Sequence, residues 1–464
     1  MLLLILVAAA VLFGGVYRWA ALVLSAGVGG LLFWTRPAIA PAGAMRVLDL
    51  SLLAVLAGIA LQLVPLPAAI VSFLSPARIA YLRASSLQSD VPSFVPLTLD
   101  RAATLHALIA AFCTAGAFWA ARSVFARRGV RTVITGLAWA AVILVVAAFA
   151  QATTGTHLVY GFWQPIDEGA RPLGPFINRN HFGTWSLLVF FLCLGCLQWR
   201  SRAAGPSRGW SWRARLAHAL DGRSMILGLA LLLLVLVMGF GASRSTMLAL
   251  AGGAGYVAAT APRRHDMRRS VIRMAALALA ALFVLAAYAD VDRLLSRVGE
   301  TRRLGLSQRV VIWRDTVRVI RDFPMAGIGA GAFSNAMRLY QTTDRTYYWN
   351  EAHNEYLQVA AEGGLLVTLP VCGALGALGA LMGAAIRRRD DPVHWLRLGG
   401  SAGLLAVAIQ AIWETGLSLP ANGMLAAAAA ALTIQGARSS PEHGSHLPPS
   451  HHDTAHPPHA ASRY

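Results

Sequence analysis

The sequence predicts an all-α polytopic membrane protein with about 12 transmembrane helices. Two observations carry that expectation. Of its 464 residues, 56% are hydrophobic and only 13% are charged, about half the charged share of a soluble globule, and the mean hydropathy is +0.56. Apolar runs of roughly 18 or more residues also recur along the chain, each long enough to cross about 30 Å of hydrocarbon as a helix.

Hydropathy read together with the basic loops places spans near 2–17, 20–35, 47–65, 104–121, 132–151, 182–199, 225–242, 246–260, 271–289, 357–385, 398–413 and 421–436. The opening "MLLLILVAAAVLFGGVYRWA" lacks a basic n-region and a small-x-small cleavage site, so it reads as a retained first helix and not as a removed signal peptide.

Orientation follows from arginine, since all 40 Lys-or-Arg positions are Arg. The short loops "RSVFARRGVR", "RSRAAGPSRGWSWRARLAHALDGRS", "APRRHDMRRS" and "RRRDDPVHWLR" fall on one side of a twelve-span chain. The positive-inside rule makes that side cytoplasmic, and both termini join it. Three longer hydrophilic segments, near 66–103, 152–181 and 290–356, and a short turn at 242–246 lie on the opposite, exported side.

The last of these carries ten arginines: Arg293, Arg297, Arg302, Arg303, Arg309, Arg314, Arg318, Arg321, Arg338 and Arg345. A loop of more than about 60 residues translocates regardless of its charge, so the topology stands. So many guanidiniums face something anionic, a lipid-headgroup surface being the plainest candidate. Within the loop, Val310, Trp313, Val317 and Ile320 form one helical stripe and Arg314, Arg318 and Arg321 another, the pattern of a helix lying in the membrane interface with Trp313 as anchor. Pro324 ends it, and "GIGAG" supplies a turn that is either a plain loop or a backbone open to phosphate. The stretch 62–82 reads as a proline-broken loop and a further short interfacial helix.

Four regions result. Residues 1–151 hold the N-terminal helices, 152–385 the candidate catalytic region, 386–436 the C-terminal helices, and 437–464 a His- and Pro-rich tail that cannot build a core and is expected to be disordered. Cys113, Cys193, Cys196 and Cys372 fall inside predicted spans and read as packing residues. The acidic pair in "DVD" at 290–292 reads as a polar helix end, so no metal and no cofactor are expected.

The segments "GPFINRNHFGTWSLL" (174–188), "GFGASRSTMLAL" (239–250), "QRVVIWRDTVRVIRDFPMAGIGAGAF" (308–333) and "HNEYLQVAAEGGLL" (353–366) resemble, in this order, the motifs of the O-antigen ligase and polymerase superfamily. The resemblance covers roughly residues 170–370. It implies a C-type membrane glycosyltransferase that moves a glycan from an undecaprenyl diphosphate carrier to an acceptor hydroxyl in the periplasm, inverting the anomeric centre without a metal. In the ligases the acceptor is lipid A-core, and in the polymerases another lipid-linked glycan. The resemblance also places the enzyme in the bacterial inner membrane with no nucleic-acid partner, and it matches Arg244 in "SRS", Arg309 in "QRVVIW" and His353 in "HNEY" to the family's functional positions.

Those residue types suit such chemistry on their own terms. A diphosphate leaving group must be stabilised where water is scarce, and guanidinium stays charged and grips phosphate oxygens bidentately. Arg244, in a tight turn between apolar spans, reads as a diphosphate ligand or as a snorkelling side chain. His353 is the candidate general base for the acceptor hydroxyl. Asn354 is placed to fix its ring or bind a sugar, and Glu351, Glu355 or Glu362 to orient the imidazole. Glu362, beyond the first turn of the span, is expected to face the bundle. Asn178, Arg179 and His181 read as donor-site lining or as a polar helix cap, and Arg302 and Arg303 as diphosphate or headgroup contacts.

Polymerase and protein O-glycosylating activities share these motifs and remain alternatives. A twelve-span transporter is the alternative of another class. Carriers place polar residues at midplane in broken helices and show internal repeats, whereas here the polar residues gather at one face and the halves show no repeat.

Overall fold

The computed structural model describes residues 1–85, 91–127, 129–155, 158–166, 170–203, 221–241, 243–261, 308–343, 345–346 and 348–435. Helices dominate: α1 (Leu2–Val11), α2 (Arg18–Thr35), α3 (Gly43–Leu63), α4 (Ala68–Leu74), α5 (Pro76–Ser85), α6 (Arg101–Ala126), α7 (Val130–Thr153), α8 (Arg179–Ala203), α9 (Gly222–Phe240) and α10 (Arg244–Thr260). After the undescribed 262–307 come α11 (308–322), α12 (Phe333–Tyr340), α13 (Glu355–Arg387), α14 (His394–Gln410) and α15 (Pro420–Thr433). One small exception breaks the all-helical expectation: β1 (Pro65–Pro67) pairs antiparallel with β2 (Phe94–Pro96), Leu66 opposite Val95. That ribbon brackets α4 and α5, so the described part of the 66–103 segment holds two short helices where one was expected.

Among the described residues seven helices, α2, α3, α6, α7, α8, α9 and α13, are long and apolar enough to cross a membrane. The other expected spans come out differently. In place of a span over 2–17 there is a ten-residue helix, about 15 Å long, ended by a 3-10 turn in which Phe13, Gly14 and Gly15 all take positive φ. The spans expected at 246–260, 398–413 and 421–436 correspond to α10, α14 and α15, of 17, 17 and 14 residues. The one expected at 271–289 lies outside the described residues, as do the acidic pair at 290–292 and the tail.

Helix α8 is the axis of the bundle. Trp185, Phe182 and Phe191 on it are almost completely buried, and Phe182 stacks between Phe176 and Trp185. It crosses α14 where Gly195 meets Gly399; a Cβ on Gly399 would stand 2.4 Å from the Phe191 carbonyl oxygen, and one on Gly195 2.6 Å from that of Trp395. Small residues at such a crossing let two backbones approach, which is how helices pack when lipid removes the hydrophobic incentive between them. At the periphery α13 leaves Leu365, Leu369 and Leu375 exposed.

The helices alternate in direction, so the chain segments near 11–18, 62–101, 153–179, 241–244, 355 and 410–420 gather at one end of the bundle. Contacts between them demonstrate this: Tyr160 donates to the Val11 carbonyl, Asn335 to Asp100, Asn180 to Glu414 and Gln62 to the Glu362 carbonyl. Arginines of the basic loops mark the other end. There Arg122 pairs with the fully buried Asp49 at 2.8 Å, Arg200 pairs with Asp221, and buried Arg397 bridges Asp391 at 2.9 Å and the Gln435 carbonyl.

Candidate active site

The polar end is organised around Glu414, a residue in the connection between α14 and α15 that is only 3% exposed. Its Oε1 accepts from Asn180 Nδ2 of α8 at 2.9 Å, from Arg309 Nη2 of α11 at 3.1 Å and, more weakly, from Ser245 Oγ of α10 at 3.4 Å. One buried carboxylate thus holds together the Asn-Arg-Asn-His, Ser-Arg-Ser and Gln-Arg segments, which are far apart in sequence. A layer deeper, Gln410 accepts from Thr184 Oγ1 at 2.9 Å and donates to Thr246 Oγ1 at 3.0 Å, tying the same helices together. The Glu414 bond is the only hydrogen bond Arg309 makes among the described residues. Its guanidinium, 29% exposed, therefore keeps most of its five N–H donors for a ligand.

The His-Asn motif is bonded to the same connection. Glu351 accepts from the Thr415 hydroxyl, the Glu355 amide donates to the Ala411 carbonyl at 2.9 Å, and Tyr356 donates to the Ala408 carbonyl at 2.8 Å. Asn354 caps α13, its Oδ1 accepting from the Leu357 amide at 3.0 Å, the role short polar side chains play at helix starts. Just before it His353 has φ of +49°, uncommon for a non-glycine residue, so the cap turns the imidazole out of the helical path. The ring stands edge-on to Trp349 at 6.2 Å. Trp313 Nε1 donates to the Ala352 carbonyl at 3.0 Å, which ties α11 to this loop.

Several buried polar atoms in this region have no hydrogen-bond partner among the described residues: His353 Nδ1, Glu355 Oε2, Glu414 Oε2, His181 Nε2 and Asn422 Oδ1. Most buried polar groups are paired in folded proteins, so a concentration of unpaired ones marks a place where a polar ligand fits.

The "GIGAG" turn is closed to phosphate, and the reason is physical. Its amides are already engaged: Ile328 to the Ala361 carbonyl at 3.0 Å, Gly329 to the Glu362 carbonyl at 3.0 Å, Ala330 to Gln62 Oε1 at 3.0 Å and Gly331 to Glu362 Oε2 at 2.8 Å. Gly364, at φ +52°, breaks α13, and there the Leu365 and Leu366 amides donate to the Pro324 and Met325 carbonyls. Backbones meet so closely that a Cβ on Gly327 would stand 2.3 Å from the Glu362 carbonyl oxygen. Glu362 faces inward, where its carboxylate clamps this turn and accepts from Gln358 at 2.8 Å. Gln62 braces the turn from α3 through the Ala326 and Glu362 carbonyls.

The remaining sequence candidates are placed as follows. Asn178 caps α8, accepting from the Asn180 amide at 2.9 Å. Arg179 is half-buried at the first turn of the same helix, and His181 is 6% exposed with its carbonyl bonded to Asn422. Arg244 is exposed at the first turn of α10, beside Ser245. Arg302 and Arg303 lie outside the described residues. Among the described residues no group of three or more His, Cys, Asp or Glu side chains is arranged to hold a metal. Sequence reasoning passed over Glu414, Asn180, Gln410 and Gln62. A signal existed for Glu414, the one acidic residue between Asp391 and Glu442.

No curated protein matches the chain. Residues 229–372 match the family model described as O-antigen ligase, a stretch that holds Arg244, Arg309, His353, Asn354 and Glu362 and leaves Asn178, His181 and Glu414 outside it. Through that match the middle of the chain is similar to the O-antigen ligase family.

Proposed function

We propose that the chain is an inverting, metal-independent glycosyltransferase of the bacterial inner membrane. It transfers a glycan from an undecaprenyl diphosphate carrier to an acceptor hydroxyl on the periplasmic face, with lipid A-core as the acceptor. The observation that supports this best is the convergence on Glu414 of Asn180, Ser245 and Arg309, with the loop that carries His353 tied to 411–415 through Glu351 and Glu355. By the positive-inside rule the arginine-marked end is cytoplasmic, which puts this site at the periplasmic surface.

In the reaction the acceptor oxygen attacks the anomeric carbon from the face opposite the diphosphate. The C–O bond to the diphosphate breaks with its electron pair, and undecaprenyl diphosphate leaves as an anion. The acceptor proton passes to the His353 imidazole, whose turned-out position on the α13 cap suits it to meet a hydroxyl from outside the bundle. Arg309 and Arg244 face the charge that grows on the leaving oxygens, with Arg302, Arg303 and Arg179 as further phosphate contacts. Asn178, His181 and Asn354 line the site, and Glu362 shapes it through the glycine turn.

Purified chain, supplied with an undecaprenyl diphosphate-linked glycan and an acceptor, tests the reading. His353→Ala and Arg309→Ala, each inserted normally, are expected to abolish transfer, and full activity in both rejects it. Activity is expected to survive chelation. A deletion strain separates ligase from polymerase: retained polymer that no longer reaches lipid A marks a ligase, and loss of polymer length marks a polymerase.

A further inference from the structure

Helix α11 buries Ile312 and Val319 in a cluster with Phe323, Phe333 and Met337, Asp315 and Thr316 are buried as well, and Arg309 borders that face. Another face is exposed among the described residues. Val310, Trp313 and Val317, with Leu357 from the first turn of α13 as the opposite wall, floor a groove of about 610 Å³, and Arg314, Arg318 and Arg321 line its edge. At i, i+4 and i+7 these arginines stand in a row parallel to the apolar strip. Among the described residues the one ion pair these arginines make is Arg318 to Asp315, at a long 3.4 Å, and Asp315 also accepts from both the amide and the hydroxyl of Thr342, while the neighbouring Asp322 accepts from Tyr340, so the three guanidiniums outnumber the acidic groups beside them.

We propose that this groove binds an anionic phospholipid of the membrane leaflet on the site's side, phosphate on the arginines and the upper acyl chain along Val310, Trp313 and Val317. Charge complementarity selects the occupant, since an apolar strip edged by three guanidiniums matches an amphiphile whose anionic head adjoins its chain and matches neither a sugar nor an uncharged lipid. The height fits as well: Leu357 precedes the Gly364 break, whereas the exposed leucines Leu365, Leu369 and Leu375 follow it, so the groove lies at headgroup level above the hydrocarbon. The bound lipid would hold α11, and with it Arg309 and the Ala352 carbonyl that Trp313 supports, at a set depth over the membrane. This inference uses the site-side placement of α11 and does not depend on which acceptor the enzyme serves.

The test is lipid retention by the full-length chain in nanodiscs of phosphatidylcholine with and without phosphatidylglycerol, read by native mass spectrometry and by a photo-crosslinker in place of Val317. Parent protein is expected to retain phosphatidylglycerol and to crosslink to it. Combined Arg314→Gln, Arg318→Gln and Arg321→Gln substitutions, all on exposed side chains, are expected to weaken retention roughly a hundredfold, and Val310→Glu, with the crosslinker kept at 317, to remove the lipid crosslink while leaving the protein monodisperse. Equal retention in parent and variants overturns the proposal, and so does capture of undecaprenyl phosphates alone. Neither readout requires glycan transfer, so failure here leaves the transferase reading to its own test.

Discussion

Arg309 and Glu414 are 105 residues apart in sequence and 3.1 Å apart in space. The carboxylate is nearly fully enclosed and the guanidinium only partly, so the pair reads as a buried anchor with a solvent-facing hand. Removing Glu414 would leave a guanidinium without its counter-charge and free two neutral donors, Asn180 and Ser245. Breaking such a buried pair costs on the order of 3–5 kcal/mol. Glu414→Ala is therefore expected to lower glycan transfer by roughly a hundredfold or more, with Glu414→Asp recovering part and Glu414→Gln, which keeps acceptance but not charge, falling between. Initial rates at saturating and limiting donor check this, and unchanged rates in all three remove Glu414 from the site.

His353 separates chemistry from fold. A non-glycine residue in the left-handed region costs about 1 kcal/mol or more, so His353→Gly is expected to raise the melting temperature in detergent while abolishing transfer. A variant that is inactive because it is less stable would contradict this account of the cap.

The glycine turn makes the opposite prediction. Gly327→Ala puts a Cβ against the Glu362 carbonyl at a φ of +65°, and with both backbones fixed by hydrogen bonds neither can yield. Loss of monodisperse protein on size exclusion is expected. Gly228→Ala in α9, where the added methyl meets nothing within 4 Å, is the control and is expected to behave as the parent.

Topology is checked by labelling single cysteines. Arg345→Cys, exposed on the site side, is expected to react with an impermeant maleimide in intact spheroplasts. Arg388→Cys, exposed just beyond the far end of α13, is expected to react only after permeabilisation. The reverse pattern inverts the protein and moves the proposed reaction to the cytoplasmic side.

Hydropathy alone located the long helices, because a lipid-crossing segment leaves a contiguous signature that needs no tertiary context. It overreached at 2–17, where Phe13 and two glycines with positive φ end the helix inside an unbroken apolar run. Motif order singled out Arg244, Arg309 and His353 as candidates, but the residue that joins two of their segments was invisible to it. Glu414 follows an apolar helix outside every motif, and its partners Asn180 and Arg309 come near only once α8, α11 and α14 have packed. The two stripes read in α11 left Asp315 and Thr316 unassigned, and both are buried, Asp315 bonded to Thr342 and Thr316 to the Ile312 carbonyl. Likewise the "GIGAG" amides looked free until their acceptors at 361–362, some thirty residues on, were in place.

That last separation bears on how the protein is made. When the turn at 324–331 emerges from the ribosome, the carbonyls of Ala361 and Glu362 and the amides of Leu365 and Leu366 that complete it have yet to be synthesised. Until then Gln62, made long before, is its main outside brace. Completion of the turn therefore requires synthesis through Leu366, and a chain ending before Leu366 carries every arginine of the loop without all the partners that close the turn.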